Sequence, residues 1–313
     1  MKYIAKFNQR IQNFGLVMAI TLTSTLLNSC FTQESNPASS GGGAVSEDAP
    51  VKWLSSSLAG GMNVKIAPEI ISDFDLSDND SDGLNPVEQM YKQWNNSTTA
   101  ETFFKIPATQ APANLNHADL SSYRDSELGI YKSHSWFSNV QSSVLAVTQY
   151  YGYRRNAGTA SEYIQITHAD IIMNYRDYNF STNSASTTNY DFHSVILHEL
   201  GHFLGLGHTS SYSIDSVMQP SLGITSSKRE VTSYDKASIV ELYGGSSALM
   251  AQSNSLSVSR SMASVETTKV LPKAVRQISD DGEIHGLIEL SADGICRHKV
   301  NGKVISVHKA ELH

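Results

Sequence analysis

The amino-acid sequence predicts an α+β fold, because it combines strand-like segments, helix-like segments and the composition of a globular protein. Val144–Thr148 and Ile164–Asn174 are rich in apolar and β-branched residues, as strands are. Asp191–Leu204 carries apolar residues at helical spacing, and Tyr234–Tyr243 lies between helix-capping residues and a pair of glycines. Hydrophobic residues make up 40% and charged residues 17% of the 313, which is typical of a globular protein.

Residues 1–29 are predicted to be a lipoprotein signal peptide. Three basic residues and no acidic ones lie in Met1–Asn13, and the apolar run Phe14–Leu27 is too short to favour a membrane span. The run leads into Leu-Asn-Ser followed by Cys30, which resembles the bacterial lipobox. The resemblance implies that residues 1–29 are removed and that Cys30 is acylated and anchors the chain to a membrane. An ordinary secretory signal or an uncleaved anchor is the alternative.

The residue after the lipobox indicates which membrane holds the anchor, and the net charge indicates which class of partner is excluded. Phe31 follows Cys30, so the Asp that often retains such lipoproteins in the inner membrane is absent. We therefore expect the bacterial cell envelope, with the anchor in the outer membrane. The chain has 30 acidic and 23 basic residues, a net charge of −7. This balance argues against nucleic-acid binding, which needs a basic surface to replace phosphate counterions.

Composition divides the rest of the chain. Residues 30–50 are rich in Gly, Ser and Pro and are predicted to be a flexible tether. Residues 51–245 contain all three tryptophans and are predicted to be the main folded domain. Within it, Asn63–Ile66 predicts a short strand. Pro86–Asn95 predicts a helix that begins with a proline and has apolar residues on one face.

Candidate metal ligands lie on the predicted helix Asp191–Leu204. His198 and His202 are four residues apart, so both imidazoles project from one face of a helix and can bind a single ion. Glu199 directly follows the first of them and can reach a water molecule at that ion. This pattern of two histidines and one glutamate therefore predicts a catalytic metal site.

A third histidine makes the pattern more specific. Gly205 ends the helix, and the absence of a Cβ allows a sharp turn that brings His208 back as a third ligand. Three neutral imidazoles leave one position of a tetrahedral site open, which suits catalytic rather than structural Zn²⁺. The alternative is a set of histidines that only decorate the helix and its exit, which would make the spacing a coincidence. His168 and His193 are interpreted as structural.

The motif and the residues that follow it resemble a metzincin of the matrixin branch. Met218 lies ten residues beyond His208, where a turn could place its side chain beneath the metal. Met218-Gln219-Pro220 resembles the matrixin Met-turn. The segments ADIIMN and TSYDKASIVELYG resemble the matrixin strand before the active-site helix and the C-terminal helix. The resemblance covers about Val51–Gly244 and implies a metzincin-type fold: a twisted mixed sheet, an active-site helix and a C-terminal subdomain that contains the Met-turn.

The same resemblance implies a zinc-dependent endopeptidase that acts on extracytoplasmic proteins or peptides. In the mechanism of the family, zinc activates water and polarises the scissile carbonyl. Glu199 then takes a proton from the water and passes it to the leaving amine. Two other classes stay open: an inactive surface-binding lipoprotein that still contains zinc, and a structural lipoprotein without zinc. The intact Glu199 favours the enzyme.

Two features of animal matrixins do not carry over to this sequence. Tyr175–Asn189 joins the ADIIMN strand to the active-site helix and lacks the His and Asp ligands of the structural zinc and calcium sites that animal matrixins hold there. No Cys-bearing propeptide motif precedes the catalytic region, and Cys296 lies on its C-terminal side. Latency by a thiol switch is therefore not predicted.

A cluster of acidic residues precedes the predicted helix at Pro86. Asp78, Asp80 and Asp82, followed by a glycine, match the opening of an EF-hand-type calcium loop. Gln89 stands at the closing position, and Glu88 falls one residue early, so the bidentate ligand is missing or displaced. Ca²⁺ is thus a candidate second cofactor. A solvated acidic turn that favours the helix N-terminus is the alternative.

The C-terminal part is predicted to be a serine-rich linker, residues 246–270, followed by a small β-rich tail, residues 271–313. Gly282–His308 shows alternation and two turn signals, Ala-Asp-Gly and Val-Asn-Gly, which predict a three-stranded meander. Three strands are marginal alone and need a partner surface. The sequence does not indicate that surface.

Overall fold

The computed structural model describes residues 49–111, 115–209, 211–244 and 282–309. The predicted signal peptide, Cys30, most of the tether and the serine-rich linker lie outside the described residues. Within the described ranges, no helix has the length and apolar character that crossing a bilayer requires.

The described residues form ten strands and five α-helices. The strands are β1 (Val51–Lys52), β2 (Val64–Ile66), β3 (Leu128–Ser133), β4 (Val144–Arg155), β5 (Tyr163–Asn174), β6 (Phe180–Ser181), β7 (Tyr190–Asp191), β8 (Ile284–Ser291), β9 (Ile295–Val300) and β10 (Lys303–Lys309). The helices are α1 (Ser55–Leu58), α2 (Pro68–Ile71), α3 (Pro86–Asn95), α4 (Phe192–Phe203) and α5 (Ser233–Tyr243).

Eight of these strands form one mixed sheet. Its order is β10-β9-β8-β4-β5-β3-β2, and β1 pairs with the beginning of β5. β2, β3 and β5 run parallel, whereas β4 is antiparallel to both of its neighbours, β5 and β8. Helices α3 and α4 pack against each other, and α4 lies on β4 and β5. This architecture confirms the predicted α+β fold.

The predicted elements of the main domain are present with small differences. α3 has the predicted bounds. β2, β5 and α5 differ from their predicted bounds by one residue at the N-terminal end, and α4 is one residue shorter at each end. β4 continues to Arg155, seven residues beyond the predicted end. The polar Gln149 interrupts the apolar run and so suggests that the strand ends there. In the structure its amide is buried and donates to the Leu120 carbonyl and the Asp170 carboxylate, so the strand continues. β3 is a strand that the sequence analysis did not identify.

Helix α4 lies at the centre of the core, and all twelve of its residues are buried. Asp191 caps its N-terminus by accepting a hydrogen bond from the backbone N–H of Ser194 at 2.8 Å. Near its C-terminus, the indole N–H of Trp53 donates to the Phe203 carbonyl at 2.7 Å. The indole of Trp94 on α3 donates to the Leu197 carbonyl at 2.9 Å. These bonds fix the helix that carries the predicted ligands.

The three strands predicted in the tail are confirmed, and the structure identifies their partner surface. β8 pairs with β4 along Val144–Gly152, β9 pairs with β8, and β10 pairs with β9. The tail therefore extends the main sheet beyond β4. Its first strand, β8, also contacts α4.

Candidate metal centre

Two of the three predicted ligands are oriented by hydrogen bonds to backbone carbonyls. Nδ1 of His198 lies 2.7 Å from the Val217 carbonyl oxygen, and Nδ1 of His202 lies 2.7 Å from the Leu206 carbonyl oxygen. A carbonyl can only accept, so each Nδ1 carries the proton and donates it. The lone pair of each ring is then on Nε2, which is the tautomer that a metal ligand requires.

Gly205 makes the turn that the sequence predicts. Its φ is +94°, and a Cβ at this position would lie 2.0 Å from the Val51 carbonyl oxygen. Two features therefore require a glycine at position 205: the left-handed backbone conformation and the close approach to β1. The backbone N–H of Leu206 bonds back to the Gly201 carbonyl at 2.9 Å, and the chain then returns His208 to the face of α4.

The turn brings the three histidines together. Ligand nitrogens of His198, His202 and His208 all lie within 4.8 Å of one another. The Nε2 atoms of His202 and His208 are 3.1 Å apart. Nε2 of His198 is buried and has no hydrogen-bond partner among the described residues. Within the described ranges, no other group of three His, Cys, Asp or Glu side chains is placed to hold a metal ion.

The electrostatics of the three rings also fit a metal. Burial lowers the pKa of His198 to about 4. Burial, together with the neighbouring histidines, places the pKa values of His202 and His208 well below the usual value. The rings are therefore neutral, as metal-ligating imidazoles must be. Among the described residues three neutral nitrogens converge and no fourth protein ligand joins them, which fits a zinc ion in a catalytic geometry.

Glu199 lies beside this group and is held by a residue that the sequence analysis did not single out. Oε2 of Glu199 accepts a hydrogen bond of 2.6 Å from the hydroxyl of Thr148 on β4. Oε1 is buried without a hydrogen-bond partner among the described residues. Burial raises the pKa of Glu199 to about 8, although the Thr148 hydrogen bond acts in the opposite direction. One oxygen is thus fixed and the other can exchange a proton.

The side chain of Met218 lies against α4, and its place beneath the metal stays a prediction. A Cβ on Gly201 would be 2.3 Å from the Met218 sulfur, so the side chain packs directly against the turn of α4 between the first two histidines. Asp235 of α5 holds this segment: it accepts from the Ser216 hydroxyl at 2.5 Å and from the Val217 backbone N–H at 3.1 Å. Asp235 was missed as a positioning residue, because its local pattern indicates only a helix-capping box.

The acidic loop is not arranged as a cation site. The hydroxyl of Thr182 donates to Asp78, and one oxygen of Asp80 accepts from two backbone N–H groups of the loop. The ammonium group of Lys92 pairs with Asp82 and lies 3.6 Å from Asp80. All three carboxylates thus already have protein partners, and Asp80 and Asp82 share Lys92. This geometry corresponds to the alternative of an acidic turn before α3.

The other cysteine and histidine residues singled out in the sequence lie outside the group of metal ligands. Cys296 is fully buried, and its thiol donates to the Pro220 carbonyl. Nε2 of His168 lies 2.7 Å from the Asp170 carboxylate in a buried pair. His193 is buried within α4 and is not part of the metal-ligand group. Cys30 lies outside the described residues.

Comparison with known proteins agrees with this geometry. Residues 78–244, just over half of the chain, match the family model described as Matrixin. Among similar proteins, Metalloendoproteinase 1-MMP of Arabidopsis thaliana is 48% identical over 54 residues, which cover 17% of this chain and 14% of the relative. Metalloendoproteinase 5-MMP of the same plant is 44% identical over 59 residues, 19% of this chain and 16% of the relative. Metalloendoproteinase 1 of Glycine max is 40% identical over 63 residues, 20% of each chain. The aligned part thus spans a fifth or less of each relative.

Proposed function

Because this chain belongs to the matrixin family, we propose that it is a zinc-dependent endopeptidase in which Glu199 is the general base. The arrangement of His198, His202 and His208 carries the proposal. Their ligand nitrogens converge within 4.8 Å, and the carboxylate of Glu199 is on the same helix, with one oxygen unpartnered among the described residues. The names of the similar plant proteins, which are metalloendoproteinases, support the same reaction class.

The residues of the site divide the work of peptide hydrolysis. His198, His202 and His208 would hold zinc, which supplies a Lewis acid for the scissile carbonyl and for the attacking water. Oε1 of Glu199 takes the proton of that water and delivers it to the leaving amine. Thr148 keeps Oε2 in place during both transfers.

We further propose that the substrates are extracytoplasmic proteins or peptides and that the chain is anchored through an acylated Cys30. The support is the order of basic residues, apolar run and lipobox-like sequence in residues 1–30. The corresponding location is the bacterial cell envelope, with the anchor in the outer membrane. Attachment through lipid would keep the metal centre close to the membrane on a tether of about twenty residues.

The test is zinc content and peptide hydrolysis measured on matched variants of the full chain. Glu199→Gln keeps the shape of the side chain and all three imidazoles but cannot accept a proton. Zinc should stay near one equivalent, while hydrolysis of a peptide library falls by a factor of roughly 10²–10⁴, as is typical of general-base loss. His208→Ala should lose both zinc and hydrolysis.

The possible outcomes separate the competing functions. Hydrolysis by Glu199→Gln within a few-fold of the wild type would reject Glu199 as the base. One equivalent of zinc in a protein that cleaves no peptide, either as the full chain or after a cut between its main domain and its C-terminal strands, would instead favour an inactive, zinc-containing binding protein. A wild-type protein without stoichiometric zinc would reject the ligand set.

A further inference from the structure

The catalytic groups are closed off from solvent. Glu199 and His202 are 0% exposed, His198 is 2% exposed and His208 is 8% exposed. A peptide bond of a protein substrate must come within hydrogen-bonding distance of such groups to be cleaved. The described conformation does not allow this approach. The C-terminal segment of strands β8, β9 and β10 is a part of the chain that lies against this centre, because Leu290 lines a cavity with His198 and His308 lies beside His208.

β8 lies along the edge of the strand that positions the general base. Its Ile288 pairs with Thr148, and its Leu290 pairs with Ala146. Residues opposite each other in an antiparallel pair point to the same face of the sheet. Thr148 points to Glu199, so Ile288 and Leu290 point toward α4 as well. Both are almost completely buried.

Leu290 closes a cavity beside the metal ligands. The cavity is bounded by His198, by Val217 and Ser221 of the segment around the Met-turn, and by Leu290 of the tail, and about 10 Å³ of it is left open. That is no more than the room a single water needs. Leu290 thus occupies the position next to His198 that a side chain of a bound peptide would otherwise enter.

The same strand also contacts the opposite wall of the site. Ser291 forms an isolated parallel bridge with Ser221, and the thiol of Cys296 on β9 donates to the Pro220 carbonyl. The C-terminal end of β8 therefore lies between β4 and the Met-turn segment, whereas Gly286–Ile288 pair with β9 on that side. An extended peptide that adds to a sheet edge makes this kind of backbone pairing, and two strands cannot occupy one edge.

The outer strands complete the cover. His308 on β10 pairs with Cys296 of β9, and its ring lies 5.2 Å from the ring of His208. At the other end, His285 stacks on Tyr151 of β4 with a centroid distance of 4.5 Å. The tail thus contacts Tyr151 of β4 and reaches the third ligand.

We propose that residues 282–309 are an autoinhibitory segment that occupies the peptide-binding groove of its own chain. The segment takes the edge of β4 as an extended peptide would, places Leu290 beside His198, and keeps substrates from the metal centre. Its release opens the groove to extended peptides. This inference rests on the proposed endopeptidase function, because it names the groove of that same site.

The test uses two full-length variants with the same substitution at different places in the tail. Leu290→Lys puts a charge into the buried position and should displace β8. Val307→Lys is the control, because Val307 is on β10 and 49% exposed. Two rates are measured on zinc-loaded protein: removal of zinc by a chromogenic chelator, and hydrolysis of a peptide library. Both should increase at least tenfold in Leu290→Lys and stay at wild-type values in Val307→Lys.

A second approach covers the case in which Leu290→Lys fails to fold. A recognition sequence for a site-specific protease is placed within residues 246–270 of the otherwise wild-type chain. Cutting after folding turns the tail into a separate peptide, which loses the effective concentration, of the order of millimolar, that a covalent link provides. Both rates should increase on dilution of the cut protein and fall again when a synthetic peptide of residues 282–309 is added in excess.

The two readouts distinguish failure of this inference from failure of the proposed function. Equal chelator rates in wild type, Leu290→Lys and the cut, diluted protein would overturn the autoinhibitory segment. A measurable hydrolysis rate that is the same in all forms would also overturn it, while the endopeptidase function would stand. Faster zinc removal without hydrolysis in any form would support the cover over the metal centre and reject the endopeptidase.

Discussion

Gly205→Ala is a demanding test of how the third ligand reaches the metal centre. The substitution places a Cβ where the backbone has a φ of +94° and where the Val51 carbonyl oxygen is 2.0 Å away. That carbonyl belongs to β1, which pairs with β5 and is fixed by the hydrogen bond from the Ile164 N–H to the Pro50 carbonyl at 2.8 Å. The clash is therefore with backbone and cannot be relieved by a change of rotamer.

Three contributions to the free energy of unfolding can be worked out. A left-handed conformation costs a residue with a Cβ about 1–2 kcal/mol, and forcing an extra carbon into a packed site costs about 1–3 kcal/mol. The smaller entropy of the unfolded Ala chain offsets about 0.4–1 kcal/mol of this. The net destabilisation is about 1–4.6 kcal/mol, which lowers the melting temperature by about 2–18 °C for a domain of this size. Displacement of His208 should also weaken zinc binding at least tenfold.

The assay is thermal unfolding with and without zinc, together with a zinc-affinity titration. Gly158→Ala is the matched control, because Gly158 also has a positive φ, +72°, but a Cβ there meets no atom within 4 Å. It reports the conformational cost alone, so the difference between the two variants measures the clash with β1. Equal shifts in melting temperature would refute the close-approach argument. Unchanged zinc affinity in Gly205→Ala would refute the role of the turn in placing His208.

Further predictions concern the general base, the acidic loop and the anchor. Thr148→Val removes the hydroxyl that holds Glu199. The rate of peptide hydrolysis should fall about 10–100-fold at unchanged zinc content, since a hydrogen bond to a charged group contributes about 1.5–3 kcal/mol. Thr148→Ser should restore the rate, and equal rates in the Val and Ser variants would contradict this role of the hydroxyl. Because the ammonium group of Lys92 already lies between Asp80 and Asp82, calcium should leave the melting temperature unchanged in both wild type and Asp80→Ala. An increase in wild type alone would assign a calcium site. Cys30→Ala should abolish membrane association in fractionated cells, and mass spectrometry that finds an unmodified Cys30 in the wild type would reject acylation.

The metal centre is largely encoded in one short stretch of sequence. His198 and His202 share a helix face because of helical periodicity, and a glycine at position 205 permits the turn to His208 whatever surrounds it. The ligand set, the base and the end of the helix are therefore local properties. The same holds for α3, whose proline, capping residue and apolar spacing define its bounds.

Residues that act on the site from distant elements could not be predicted in this way. Thr148 reaches Glu199 across 51 positions of the chain, and Asp235 holds Val217 across 18. In the sequence, Thr148 is one polar residue in an apolar strand, and Asp235 is one member of a capping box. Their contribution depends on which strand lies beneath α4 and on how α5 returns to the Met-turn, and neither is a property of nearby residues.

The sequence by itself determined the ligands, the base, the reaction class that the family implies and the presence of three strands in the tail. Only the tertiary structure decided where those strands lie, because β pairing joins residues that are distant in sequence and the alternation of Gly282–His308 is compatible with any free sheet edge. The free edge that they take is that of β4. That pairing places Leu290 next to His198, and so a pattern that predicts a marginal meander becomes a cover over the metal centre.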